Sequence, residues 1–359
     1  MSPTVRRALS VIVLLVLMAG FGFGVNRFIA SKKHKIPTEA SVFIPTATRP
    51  RIVLPGTLYL AQNGDIYRLS DGFFTDLHLS TTSGSWMQPA YIPNSQDIVA
   101  VLRAAEYSNL YLLSSQGTIL RQLSNNAYPA LNKVYLNHWM FYPHMGADGN
   151  TIYFSYDQPK DSATYAVDFS VWSGLLNGKL AGKQLSVANP FTGGDVDPTP
   201  MANRSVIYSK FAIGSGNAYS QIAIQVKAQG KPLILTTPAQ DCGQPSPSPD
   251  GTKIAMICIG NTGLQSSRLE VATLTNGKLG TPVTLVNNCL CADPVWSPDG
   301  TGLVYYNTAD ITGHFELWWI NGAASAAPSP TIQVTTNLDF DATSPPSWSP
   351  LSSVPVMSR

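Results

Sequence analysis

The chain is poor in charge. Only 12% of its 359 residues are Asp, Glu, Lys or Arg, about half the ~25% of an ordinary soluble domain. No basic cluster lies in its main body, which excludes nucleic-acid binding there, because phosphate recognition needs concentrated Lys and Arg. Histidine is scarce as well. His34, His78, His138, His144 and His314 show no close metal-ligand spacing. The nearest pair, His138 and His144, reads as loop and strand-edge residues. No Gly-x-Ser-x-Gly pentapeptide occurs, which removes the nucleophile elbow of an α/β-hydrolase. There are four Cys and no C-x-x-C pair. What is plentiful is Gly (28), Pro (27) and apolar residues (44%). Such a chain is too apolar to be disordered and long enough for a large core.

The net charge of +2 conceals two parts. Residues 1–55 hold eight basic residues against Glu39 alone, a net +7, which leaves −5 on residues 56–359. The run Ala8–Val25 carries no charge over 18 residues, enough for a transmembrane helix and longer than the apolar core of a usual secretory signal. No Cys follows it, so a lipoprotein anchor is excluded. The reading adopted is an uncleaved signal anchor at 8–25 behind a short tail at 1–7, with a cleaved signal peptide as the alternative. Residues 26–55, with Pro37, Pro45, Pro50 and Pro55, read as a basic, extended stalk. Arg27, Lys32, Lys33 and Lys35 after the span would place the body inside under the positive-inside rule. The short tail, the Ser/Thr/Asn-rich body and the four Cys point to the extracytoplasmic side of the cell membrane, which is the orientation expected.

The body repeats itself. With a Pro as slot zero, the segments begin at Pro89, Pro143, Pro198, Pro245, Pro294 and Pro346, spaced by 54, 55, 47, 49 and 52 residues. Three of them reach Asp-Gly at slots five and six: Asp148-Gly149, Asp250-Gly251 and Asp299-Gly300. Nine residues after the first five prolines stand Ile98, Ile152, Ile207, Ile254 and Leu303. This is hairpin chemistry: a strand, a turn in which Asp favours the bend and Gly accepts positive φ, then a buried strand. Two further strand-like runs complete each unit, for example Leu110–Leu113 with Ile119–Leu123. Four strands in about 50 residues describe a β-propeller blade. Slot two holds Trp296 and Trp348, read as blade-to-blade packing. The sixth motif lacks an apolar slot nine, while Thr57–Ala61, Asp65–Leu69 and Thr75–Leu79 read as three strands without a first. The segment around Ser347–Pro350 is therefore expected to close the ring as the inner strand of that blade. The fold class is all-β: a six-bladed propeller of four-stranded antiparallel blades over 56–359, preceded by one N-terminal transmembrane helix.

Pro-x-Trp-Ser-Pro-Asp-Gly followed by an apolar strand resembles the WD40-like repeat of TolB-type six-bladed propellers, and also that of the non-catalytic propeller domains of oligopeptidase-like enzymes. The resemblance covers about 85% of the chain. It departs in the third repeat, where Asn203-Arg204 replaces Asp-Gly. It implies a periplasmic or surface protein-interaction module.

Several groups are candidates for a site. Cys242 and Cys291 each lie three residues before a slot-zero Pro, Cys258 ends a second strand, and Cys289 is close by. All four should meet at one rim across blades four and five, as two disulfides. A bond between Cys289 and Cys291 is the least favoured connectivity, because closing an i, i+2 loop is strained. A thiolate metal site and reduced buried thiols stay open as alternatives. Asp195, Asp197, Asp241, Asp293, Asp339 and Asp341 precede first strands, while Asp157, Asp161, Asp168 and Asp310 follow second strands. In a propeller these loops share a face, so an acidic channel mouth is expected, suited to a cation, an amine or a basic peptide. Calcium at Asp195 and Asp197 is a weak candidate, since two carboxylates are short of the six to eight oxygens it needs. The long loop Asn125–Tyr142 carries Tyr128, Tyr135, Trp139, Phe141 and Tyr142, either as partner anchors, together with Asp157 and Asp161, or as cover for the blade-two core. The function expected is protein or peptide binding at this face, without catalysis or cofactor. The alternatives are a metal-dependent lyase or lactonase using the mouth carboxylates, and a purely structural envelope protein.

Overall fold

The repeat becomes six sheets around a channel. In this computed structural model the described residues are 52–79, 83–129, 133–158, 167–260, 266–308, 313–325 and 327–350. The expected anchor at 8–25, nearly all of the stalk, Asp161 and Asp310 lie outside them. Among the described residues no helix is long and apolar enough to cross a membrane.

The described chain opens with β1 (Thr57–Gln62), β2 (Asp65–Ser70) and β3 (Phe73–Asp76). Blade one is β4 (Ser85–Tyr91), β5 (Ile98–Arg103), β6 (Ser108–Leu113) and β7 (Ile119–Gln122). Blade two is β8 (Met140–Met145), β9 (Thr151–Tyr156), β10 (Ser170–Leu175) and β11 (Lys183–Gln184). Blade three is β12 (Asp195–Pro200), β13 (Val206–Gly214), β14 (Asn217–Gln225) and β15 (Leu233–Ile234). Blade four is β16 (Cys242–Pro247), β17 (Lys253–Cys258) and β18 (Ser267–Thr275), edged by β19 (Lys278–Leu279) and β20 (Val283–Cys289), both paired to β18. Blade five is β21 (Ala292–Trp296), β22 (Gly302–Thr308), β23 (Phe315–Asn321) and β24 (Ile332–Gln333). Finally β25 (Ser347–Ser349) pairs antiparallel with β1, placing Trp348 opposite Leu58. The sixth blade is thus closed by strands from opposite ends of the described chain, as the missing first strand implied.

Slot nine is a buried anchor on the second strand of five blades. Ile98, Ile152, Ile207, Ile254 and Leu303 are all fully buried. Slot two stands opposite slot nine in four blades: Tyr91 with Ile98, Met145 with Ile152, Pro247 with Ile254 and Trp296 with Leu303. Blade three differs. Pro200 pairs with Val206, so its turn is one residue shorter, and Arg204 occupies the positive-φ position that Gly149, Gly251 and Gly300 fill elsewhere. The outer strand of blade six also differs from the expected Thr75–Leu79. The two-residue turn Asp71-Gly72 starts β3 at Phe73, and Leu77 and Leu79 are buried beyond its end.

The core lies between blades. Trp348 packs edge-on to Trp319 of blade five, with centroids 5.6 Å apart, and its indole N–H donates to the Pro55 carbonyl at 2.8 Å. The Trp296 N–H donates to the Ser246 carbonyl of blade four at 3.0 Å. Both Trp do the blade-to-blade packing expected of slot two. Ile52 and Leu54, at the expected end of the stalk, pack with blades five and six.

Candidate functional site

A β-bulge interrupts every first strand from blade one to blade five at one repeat position. The register shifts fall between Met87 and Ala90, Phe141 and His144, Val196 and Thr199, Gly243 and Ser246, and Ala292 and Val295. In each, the residue before the slot-zero Pro has positive φ: Gln88 (50°), Tyr142 (53°), Asp197 (56°), Gln244 (51°) and Asp293 (48°). Left-handed backbone is unfavourable for such side chains. A bulge also re-aims the residue it carries. Here the repeated distortion gathers polar side chains around the channel.

Two glutamines tie the ring. The Gln88 N–H donates to Ser344 Oγ at 2.6 Å and its side-chain amide to the Thr343 carbonyl at 2.9 Å, while its Oε1 accepts from the Tyr142 N–H at 2.7 Å. The Gln244 N–H donates to Ser209 Oγ at 2.8 Å, and its Oε1 accepts from the Asp293 N–H at 3.1 Å. Gln88 therefore links blades six, one and two, and Gln244 links three, four and five.

Two of the remaining ring positions hold acids. Asp197 and Asp293 are 7% and 3% exposed. Asp197 Oδ1 and Asp293 Oδ2 have no hydrogen-bond partner. Burial pushes Asp197 up to about 7. Burial, then the charges on Asp197 and Asp341, push Asp293 well above the usual carboxylate range. Burial and the charges of Asp293, Asp197 and Asp341 raise the Tyr142 hydroxyl. Tyr306, fully buried with an unpartnered hydroxyl, is raised by burial and by Asp293 and Asp341. His144 is pushed down to about 4 by burial. A cavity of about 230 Å³ runs from this level, at Gln244 and Asp293, to Pro93 and Pro249 in the turns after first strands. Its walls come from all six blades.

The other acids are used locally. Asp195 Oδ1 sits 3.0 Å from Lys210 Nζ, an ion pair within blade three. Among the described residues no group of three or more His, Cys, Asp or Glu is arranged to hold a metal. Asp241 Oδ1 accepts from the Ser220 N–H and hydroxyl at 2.7 and 3.0 Å. Asp339 accepts from the Phe315 N–H at 3.3 Å, and Asp341 from the Thr343 N–H at 2.9 Å. Asp168 accepts from three successive N–H groups, Phe191 to Gly193, at 2.7 to 2.9 Å.

The long loop before blade two is pinned by buried amides. Asn126 donates to the Ser108 carbonyl and accepts from the His138 N–H through its own carbonyl, while Asn137 Oδ1 accepts from the Tyr128 N–H at 2.7 Å. Its aromatics divide. Tyr128 is exposed, at 42%, and Tyr135 is half-buried. Half-buried Trp139 stacks on Phe141 at 5.8 Å, and Phe141 packs edge-on to Phe169 and onto the core. Tyr142 turns to the channel. Asp157 is buried, with Oδ1 2.8 Å from His138 Nδ1. Gln88, Gln244 and Tyr306 were not singled out by sequence. The signal for the two glutamines was the residue preceding each slot-zero Pro, which is polar in five repeats out of six.

Both disulfides lie in blade four and its exit. Cys242 and Cys258 face each other across β16 and β17, with Cα atoms 4.0 Å apart. Cys289 bonds Cys291. This corrects the expected ranking, which placed that pair last. Ser267 Oγ accepts from the Cys291 N–H and donates to the Cys289 carbonyl, each at 3.0 Å, which folds the two cysteines back on each other around exposed Leu290.

No sequence-family model matches the chain, and no curated protein does. Solved structures match. TolB from Acinetobacter baumannii has a TM-score of 0.60 to this chain, at 17% identity over 82% of it and 66% of that chain. The fold is TolB-like. The putative TolB from Agrobacterium tumefaciens gives 0.52 at 12% identity, covering 82% of this chain and 93% of that one. A chain of a nidogen/laminin complex gives 0.51 at 12%, covering 81% and 98%. At these identities the likeness is one of fold. This TolB-like chain spans just under two thirds of the Acinetobacter TolB.

Proposed function

We propose that this TolB-like propeller is a protein- or peptide-binding module, tethered to the cell membrane by the apolar run Ala8–Val25 with the propeller on the extracytoplasmic side. The observation that carries the reading is the Trp139–Phe141 stack. Phe141 packs against the core and braces half-buried Trp139 in the loop that exposes Tyr128. Rigid aromatics lose little entropy on binding and are frequent interface anchors. Propellers of similar fold include one solved in a nidogen/laminin complex. The net −5 of residues 56–359 suits a partner with basic character. No specific observation favours the lyase or lactonase reading.

The test is capture of cross-linked partners from intact cells by the full chain and by Trp139→Ala. Loss of one discrete partner in a variant of unchanged thermal stability supports the reading. Identical capture by both chains overturns it. Protease shaving of intact cells tests the topology, and a propeller protected from added protease would overturn the proposed side.

A further inference from the structure

The channel cavity combines two chemistries. Much of its wall is apolar, formed by Pro245, Pro247, Pro294, Pro346, Trp296 and Trp348, with Thr199, Ser246 and Ser347 between them. At its bulge level stand Asp197 and Asp293, each more than nine-tenths buried and each with an oxygen lacking a hydrogen-bond partner. The Tyr306 hydroxyl, fully buried and unpartnered, is a further polar group close enough to feel the charges of Asp293 and Asp341. No Lys or Arg lines the cavity. Its single base, His144, is held neutral by burial. Burial holds both carboxyls toward the protonated form, and a cation seated between them offsets the several kcal/mol that an ionised carboxylate costs when buried without a counter-charge.

The cation is organic in character. Hard divalent ions need six or more oxygens, and among the described residues no metal-binding group of three exists. The volume of about 230 Å³ is below the ~300–1,000 Å³ of sites that enclose drug-sized ligands. An apolar sleeve ending in two carboxylates matches an alkyl stem ending in a charged head.

We propose that the channel, entered from the face of the Pro-Asp-Gly turns, is a binding site for an alkylammonium group. The head lies between Asp197 and Asp293, and the stem runs along the Pro and Trp wall. The ligand is a free alkylamine or a lysine side chain. The site is separate from the Trp139 ledge, so either reading can fail alone.

The experiment is calorimetry on the full chain in detergent, at pH 8 in amine-free buffer. Asp341, Tyr142, Tyr306 and His144 also face these carboxylates, so all comparisons are made at one pH. The probes are n-butylammonium, neutral n-butanol, Nα-acetyl-lysine methylamide and calcium chloride. Binding of either amine, with butanol at least tenfold weaker, is expected. The two amine arms tell a free amine from a lysine side chain. Asp197→Asn/Asp293→Asn should weaken amine binding at least tenfold, while exposed Asp71→Asn leaves it unchanged. Because the double variant removes buried charge, its melting temperature is measured alongside to show that it folds. No amine binding, equal binding of butanol, equal amine binding by the double variant, or calcium binding without amine binding would each overturn the proposal.

Discussion

The side-chain carbonyl of Gln88 accepts the main-chain N–H of Tyr142, 54 residues later and one blade round the ring, at 2.7 Å. Gln244 makes the same link to the Asp293 N–H, so at two of the repeats the residue before the proline cross-links its blade to the next.

Gln88→Ala should therefore destabilise the whole ring. It strips partners from the Tyr142 N–H and the Thr343 carbonyl, a cost of about 2–4 kcal/mol for two buried groups. Gln244→Ala removes the acceptor of one N–H and should cost about 1–2 kcal/mol. Urea denaturation of both variants checks the order, and equal midpoints would refute it.

Asp197 makes stability depend on pH. Its folded value, about 7, lies above its ordinary 3.8. The native state thus holds the proton more tightly, and stability falls as pH rises from about 4 to about 7. Asp197→Asn should gain a few kcal/mol at pH 8 and little at pH 4. Denaturation curves at the two pH values test this, and a gain confined to low pH would contradict the assignment.

The two disulfides should differ in worth. The Cys242–Cys258 bond closes 16 residues and the Cys289–Cys291 bond closes two. On the chain-entropy account the first stabilises by about 3 kcal/mol and the second by about half that. Paired Cys→Ala variants, compared by thermal unfolding, should reproduce that order.

Ring closure rests on Trp348. Trp348→Ala loses the Trp319 contact and the bond to Pro55, about 3–5 kcal/mol. It should expose the β1 edge to proteolysis before any other blade opens. Early cleavage in blade three instead would show that closure is not the weak point.

Legibility in the sequence followed the chemistry of each position. Pro-Asp-Gly and the slot-nine apolar residues announce turns and buried strands by local rules, so blade number, closure and both Trp roles were readable. Gln88 and Gln244 were not, because a left-handed residue before proline is locally unfavourable and is held only by neighbouring blades. The acids looked alike in sequence. Asp241 and Asp339 cap main-chain N–H groups, Asp195 pairs with Lys210, and Asp197 and Asp293 enter the channel. A single residue separates Asp195 from Asp197, yet the bulge at Val196–Thr199 sends them to different surroundings. The Cys289–Cys291 bond was misjudged for a similar reason: spacing alone omits Ser267, which sets the local fold.

By itself the sequence determined a basic N-terminal stretch with an apolar run, an acidic body and six repeats that must close, because period, turn residues and charge are local properties that survive in a linear chain. Only the tertiary structure decided which carboxylates lose water, which cysteines meet and where the cavity opens. Those depend on what five other blades place within a few ångströms, and no single repeat contains that information.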